Sequence, residues 1–396
     1  MTVQDDSQHD VKSVDQLDRG RCKCSRVRLC FLVMLLLSVI LSYYMDYEVS
    51  LNWILSLGTF YSNRNINTSA QITHSVQNKT TTTVMAPVPI TSTESAQSTV
   101  KITTQLPKRL TPAPPKPPNP YTVAYPNDYH FIINEPERCL KEKPFLVLLV
   151  PVAPNNRAAR NAVRSTWGSE REVLGKMVSL FFVLALPPAE GRHKVQEEVL
   201  QESKEHHDLL QSDFLDCYKN LTIKTMVMLE WLSSNCSNAF YAMKVDSDIF
   251  LNVHNLVEML IRAPRQNYLT GLVAKGGAVL RNPASKWYLP HDIFPESVYP
   301  PYALGLGYVL SLDLPSKLTE AAKHVTAVYI EDVYIGLCMR YLRVSPTDPP
   351  NPSLFNVFPV PYNRCRYAKL IATTTHSLTD QVNFWKDLKK PGPPCS

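Results

Sequence analysis

The chain is 396 residues long and carries 41 lysines and arginines against 35 aspartates and glutamates, a formal net charge of +6. That length admits one large domain with appendages or two domains, and the modest basic excess, without an aromatic-interleaved basic patch, does not favour nucleic-acid binding. Proline is abundant at 32, glycine is sparse at 12, and the prolines are bunched, which marks a segregated linker rather than a disordered whole.

Residues 1–28 read as a cytosolic tail in which Arg19, Arg21, Lys23, Arg26 and Arg28 stand directly before an apolar run at 29–45, with Asp46 and Glu48 after it. The run is long enough to span a bilayer as a helix, and the flanking charges put the amino terminus in the cytosol. A cleaved secretory signal is the other reading, but Ser42, Tyr43, Tyr44 and Met45 are too bulky for its small-x-small site. The expectation is an uncleaved signal anchor with the bulk of the chain across the membrane. Residues 46–124 follow as a stem; its Thr80-Thr81-Thr82-Thr83 run and the proline-rich stretch at 112–118 bury no apolar area, so it is extended and open to O-glycosylation.

Cysteine placement agrees with this topology. Cys22, Cys24 and Cys30 lie in the cytosolic or membrane-proximal part, whereas Cys139, Cys217, Cys236, Cys338, Cys365 and Cys395 are spread over the far side, where up to three disulfides are expected. No C-x-x-C pair occurs among those six, which argues against zinc. Sequons at Asn67, Asn78, Asn220 and Asn235 are compatible with the secretory route.

The folded domain is expected at 125–396. Residues 145–150 and 177–186 are continuous apolar runs of the kind buried on both faces of a sheet, the second stopped by Pro187-Pro188. Between them, 157–167 places Ala159, Ala162, Val163 and Trp167 at helical spacing, with Gly168 as a C-cap. A solvated helix over 192–208 and an apolar one over 221–233 follow, the latter with Met226, Met228, Leu229 and Trp231 as core. A third buried strand, 239–245, delivers Asp246 and Asp248 at its end. Repeated strand-helix-strand units predict an α/β fold with a largely parallel central sheet, whose ligands sit beyond the carboxyl ends of the strands. Neither G-x-G-x-x-G after the first strand nor G-x-x-x-x-G-K occurs, so phosphate binding would need a metal.

Asp246-Ser247-Asp248 offers the hard oxygen donors that Mg²⁺ and Mn²⁺ prefer, and it equally suits an Asx-rich turn after a strand. Arg160 and Arg164, four apart on one helix face, could address phosphate or uracil, or pair with Glu170 or Glu172. Trp287 and Tyr288 have flat faces that suit sugar rings but also suit a core, and Gly305 and Gly307 allow close backbone approach.

Several stretches occur in an order that matches one family: Arg160 through Gly168, Lys244 through Phe250, Ser285-Lys286-Trp287-Tyr288, Tyr299-Pro300-Pro301-Tyr302 with Gly305-Leu306-Gly307-Tyr308, and Glu331 through Cys338. Over roughly residues 145–395 the chain resembles the β-1,3-galactosyltransferase family, glycosyltransferase family 31. The resemblance implies a GT-A fold, a type II Golgi membrane protein, and an inverting, Mn²⁺-dependent enzyme that moves galactose from UDP-galactose in β-1,3 linkage to a terminal acceptor sugar such as N-acetylglucosamine on a glycoprotein or glycolipid. It implies metal binding by Asp246, Asp248 and His376, with Asp248 the direct ligand, and UDP-sugar binding by Arg160, Arg164, Trp167, Asp246, Lys286, Trp287, Gly305 and Gly307. Asp332 is implied as the general base, with Glu331 in support or structural; the residues alone favour an acid pair at a helix N-terminus. UDP-N-acetylglucosamine as donor, a catalytically silent sugar-binding protein of the same fold, and a mucin-like spacer are the rival readings. The chain departs from the family at Ala303-Leu304, where a cysteine is common, at Cys217, where serine is common, and at 281–284, which lacks an acid. One disulfide is therefore expected to be rewired or absent.

Overall fold

The computed structural model describes residues 119–395, so the expected tail, anchor and most of the stem lie outside the described residues. The folded part starts a little earlier than its sequence suggests: Thr122 bridges Val328, and the Val123 amide donates to the Ala327 carbonyl at 2.9 Å. Among the described residues no helix is long and apolar enough to cross a membrane.

In chain order the strands are β1 (Phe131–Ile133), β2 (Leu146–Pro151), β3 (Glu172–Val173), β4 (Lys176–Leu186), β5 (Leu209–Leu215), β6 (Tyr241–Val245), β7 (Ile249–Leu251), β8 (Leu269–Ala274), β9 (Tyr302–Ser311), β10 (Phe355–Asn356) and β11 (Ala372–Thr374). The helices are α1 (Arg138–Glu142), α2 (Arg157–Arg164), α3 (Arg192–His206), α4 (Leu221–Asn235), α5 (Val253–Ile261), α6 (Leu314–Ala322), α7 (Glu331–Tyr341), α8 (Arg364–Tyr367) and α9 (Leu378–Leu388). The main sheet runs β1-β5-β4-β2-β6-β9-β8, with β3 hooked onto β4. Its centre, β5-β4-β2-β6, is parallel, while β1, β3, β9 and β8 join antiparallel. The sheet is therefore mixed rather than largely parallel; β9, which reverses the direction next to β6, follows the long helix-free loop after β8, where no strand-helix-strand rhythm announces it.

The continuous apolar run of β2 is explained by helices on both faces. Val147 and Leu149 face one core with Met226, Met228, Trp231 and Leu232 of α4 and Val333 and Tyr334 of α7. Leu146, Leu148 and Val150 face the other, with Ala159 and Val163 of α2 and Val253 and Leu256 of α5. Alternate residues are thus buried on opposite sides, the mark of a three-layer α/β domain.

Helix α2 stops at Arg164, short of Trp167, which opens a separate 3-10 turn, Trp167–Ser169. Gly168 is needed there for space rather than as a left-handed cap: a Cβ would stand 2.7 Å from the Val163 carbonyl oxygen and 2.8 Å from Leu180. Two disulfides form, Cys139–Cys236 and Cys365–Cys395, while Cys217 is an exposed and Cys338 a buried free thiol. The third bridge allowed by the cysteine count is absent among the described residues.

Candidate active site

Strand β6 ends at Val245, and Asp246-Ser247-Asp248 turns the chain into β7, closed by the Ile249 amide donating to the Asp246 carbonyl at 3.3 Å. The turn reading and the ligand reading of this tripeptide are therefore both compatible with one geometry. Strand β7 belongs to a second small sheet, β10-β11-β7, and the register pairs Ile249 with Thr374. That pairing carries Thr375 beside the turn, where its amide and its hydroxyl each donate to the Asp248 carbonyl at 2.9 Å. His376 follows immediately and is exposed, as is Asp248.

Among the described residues no three His, Cys, Asp or Glu side chains gather into a ready cation cluster. One carboxylate oxygen of Asp246, Oδ1, accepts from Lys244 Nζ at 2.8 Å. The exposed Asp248 carboxylate, with His376 on the neighbouring strand end, instead fits a divalent cation that takes one or two protein ligands and completes its shell with phosphate oxygens and water.

Lys244 is a charged residue inside an otherwise apolar strand, and that was the available sequence signal for a buried ion cluster. Its ammonium, 8% exposed, reaches Asp246 and lies 3.6 Å from Glu331 Oε2, and it also donates to the Gly305 carbonyl. Burial works to discharge it, but the Asp246 and Glu331 carboxylates outweigh burial and raise its pKa. Tyr308 on β9, whose role was not foreseen, donates its hydroxyl to Glu331 Oε1 at 2.6 Å. Glu331 is thus held by two donors within the interior.

Asp332 stands beside Glu331 at the start of α7, after Ile330 as N-cap. The two side chains diverge because consecutive helical positions are about 100° apart. The Gly305 amide donates to Asp332 Oδ2 at 2.9 Å and the Val333 amide to Oδ1 at 2.9 Å. Burial, then the Glu331 charge, push the Asp332 carboxyl up to about 6, against the pull of Gly305 and Lys244. A carboxylate so placed is a competent proton acceptor near neutral pH. The space at Gly305 is what admits the acids: a Cβ there would meet Glu331 Oε2 at 3.3 Å and Asp332 Oδ2 at 3.4 Å.

Other residues expected to bind the UDP-sugar serve the scaffold. Arg160 is 1% exposed and bidentate to Glu202 at 2.6 and 2.8 Å, and it also caps the carbonyls of Ala153 and Pro154 in the loop beyond β2. Arg164 pairs with Asp208 at 2.7 and 2.8 Å and with Glu202 at 2.7 Å. The acids they pair with are therefore not Glu170 and Glu172 but Glu202 and Asp208, some forty residues onward. Trp167 is fully buried, and its indole donates to the Ile249 carbonyl at 2.8 Å, bracing the turn from behind. Gly307 lies inside the sheet, where a Cβ would meet Met243 Cε at 3.0 Å, so its smallness serves strand packing.

Lys286 is exposed and Trp287 half-buried against the core, with the Lys286 ammonium 4.3 Å from the Trp287 ring centroid. Their loop is pinned by Tyr329, whose hydroxyl donates to the carbonyls of Lys286 at 2.9 Å and Tyr288 at 2.8 Å. A cavity of about 360 Å³ lined by Arg138, Arg171, His206 and His207 opens instead at the amino end of β4 and shares no residue with these groups.

With this geometry in place, residues 158–350 match the family model described as Galactosyltransferase. The chain is similar to β-1,3-galactosyltransferase 2 of Pongo abelii, 40% identical over 68% of this chain and 64% of that protein, and to β-1,3-galactosyltransferase 1 of Mus musculus, 38% identical over 66% of this chain and 79% of that one. The match thus spans somewhat less than two thirds of the length of the first of these relatives. The overlap with solved structures is slight: mouse xyloside xylosyltransferase 1 superposes with a TM-score of 0.30 at 14% identity, over 59% of this chain and 97% of that one, and carries no argument.

Proposed function

The chain belongs to the β-1,3-galactosyltransferase family, and from that premise we propose that it is a hexosyltransferase of GT-A type that moves galactose from UDP-galactose, with inversion, onto a terminal β-1,3 acceptor position, that of N-acetylglucosamine being favoured. The observation that carries the reading is the Lys244 bridge: one buried ammonium ties Asp246, on the turn that would face the diphosphate, to Glu331, the neighbour of the proposed base. Leaving-group chemistry and proton chemistry are thereby held on a single rigid unit.

In this reading Asp248, with His376 beside it, would hold Mn²⁺, and a bound divalent cation would supply charge stabilisation to the departing UDP. The chain's own groups do the rest. Asp332 takes the proton of the attacking acceptor hydroxyl, in an orientation fixed by the Gly305 and Val333 amides. Glu331 keeps Lys244 in place and, through Tyr308, the strand that carries Gly305. Arg160, Arg164 and Trp167 act as scaffold for the loop after β2 and for the turn. A Golgi location, with a single-pass anchor at 29–45 and a luminal catalytic domain on a glycosylated stem, completes the proposal.

The test is a panel of UDP-sugars with the full-length, detergent-solubilised chain in Mn²⁺, alongside Asp332→Asn and Asp248→Ala. Galactose transfer abolished by both variants supports the reading. A preference for UDP-N-acetylglucosamine would replace the donor, and undiminished transfer by either variant would remove the mechanism.

A further inference from the structure

Beside the acid pair lies an exposed aromatic residue that no motif singled out. Tyr218 opens a 3-10 turn, Tyr218–Asn220, leading into α4, and it is 48% exposed. Its phenolic group neighbours the Trp287 indole and feels the charge of Asp332.

The turn is fixed from several sides. The Lys219 ammonium lies 5.7 Å from the Tyr121 ring centroid and 5.8 Å from that of Tyr329. Asn220 Nδ2 donates to the Leu215 carbonyl at 2.8 Å, and the buried Thr222 hydroxyl donates to the Val328 carbonyl at 2.8 Å. Tyr329 also anchors the loop bearing Trp287 and stands two residues before Glu331. Tyr218, Trp287 and Asp332 are therefore carried on one framework rather than on independent loops. Burial and then the charge of Asp332, with smaller contributions from Asp246 and Glu331, raise the Tyr218 pKa, so its hydroxyl stays protonated.

We propose that Tyr218 and Trp287 form a ledge that receives the acceptor pyranose and presents its attacking hydroxyl to Asp332. A pyranose has a face of C–H groups and a rim of hydroxyls, which matches an aromatic surface bearing a phenolic hydroxyl. Tyr218 is the specificity element in this arrangement, because its hydroxyl can reward a correctly placed ring substituent that a bare ring cannot. The proposal rests on the transfer reading given above.

Steady-state kinetics of the full-length chain with UDP-galactose and a β-linked N-acetylglucosamine glycoside test it, with Tyr218→Ala, Tyr218→Phe and Asp332→Asn compared. Tyr218→Ala is expected to raise the acceptor KM about tenfold or more while the UDP-galactose KM stays within about twofold, and Tyr218→Phe, which keeps the ring, to fall between it and the unaltered chain. An unchanged acceptor KM in both Tyr218 variants, with Asp332→Asn inactive, overturns the ledge and leaves the transfer reading standing. Equal rises in both KM values together with a lowered melting temperature also overturn it, since that is the signature of a structural residue. Full transfer by Asp332→Asn would mean that the transfer reading itself has failed.

Discussion

Two buried charge clusters flank the central strands, and they are built to opposite ends. In Arg160–Glu202–Arg164–Asp208, both guanidiniums are bidentate or nearly so, and the Arg160 donors left over go to the carbonyls of Ala153 and Pro154. In Lys244–Asp246–Glu331–Asp332, three carboxylates share one ammonium, and negative charge is left over. The first cluster is closed and holds a loop. The second is acid-rich, and its surplus lies at the proposed base. A buried ion pair is thus not by itself a sign of chemistry; the balance of donors against acceptors distinguishes scaffold from site.

The strongest test of that contrast is Asp332→Asn, which keeps the shape and removes the base. It should lower the transfer rate by roughly 10²- to 10⁴-fold with an unchanged thermal midpoint. Arg160→Ala should do the reverse: it leaves Glu202 buried with its main partner gone, at a cost of about 3–5 kcal/mol in chemical denaturation, while the folded fraction retains its acceptor KM.

pH separates the clusters as well. The Asp332 pKa is raised to about 6, so the base is ionised above that value and transfer should decline as pH falls through it, read from kcat/KM against pH. Because a raised carboxyl pKa favours the protonated form in the folded state, this titration removes no stability. Burial opposes the ionisation of Glu202, yet Arg160 and Arg164 outweigh it and lower its pKa. Its contribution is present above the ordinary carboxylate range and is lost only as pH falls below about 4, so activity should vanish while the fold persists. Least in size, Gly307→Ala should cost about 1–3 kcal/mol by crowding Met243, without the pH profile moving.

How far the sequence anticipates this molecule depends on the range of the contact. The buried strands, the apolar helix with Trp231 and the turn at Asp246 are written locally, in period and composition, and residues 146–151, 176–186 and 241–245 form strands close to where their apolar runs lie. The partners of Arg160 are not, because Glu202 comes 42 residues later on an otherwise solvated helix. Nor is the helical geometry of Glu331 and Asp332 against β9, since the pairing of β9 with β6 is antiparallel and separated by a long loop. Lys244 did carry a signal, a lone cation in an apolar strand, which calls for buried counter-charges before any family is considered.

The peptide that follows Asp248 is held by donors from remote parts of the chain: the Trp167 indole and the Gln381 amide both donate to the Ile249 carbonyl, at 2.8 and 3.2 Å, and Thr375 clasps the Asp248 carbonyl. During synthesis the turn would emerge well over a hundred residues before two of its three clamps exist. A nascent chain halted at residue 350, where the family match ends, would hold Asp246, Asp248 and the acids of α7 with only the Trp167 clamp on the turn. Closure of the turn is thereby postponed until residues 375–381 have been translated, and a protein clipped or mis-terminated before them is expected to lack two of its three clamps.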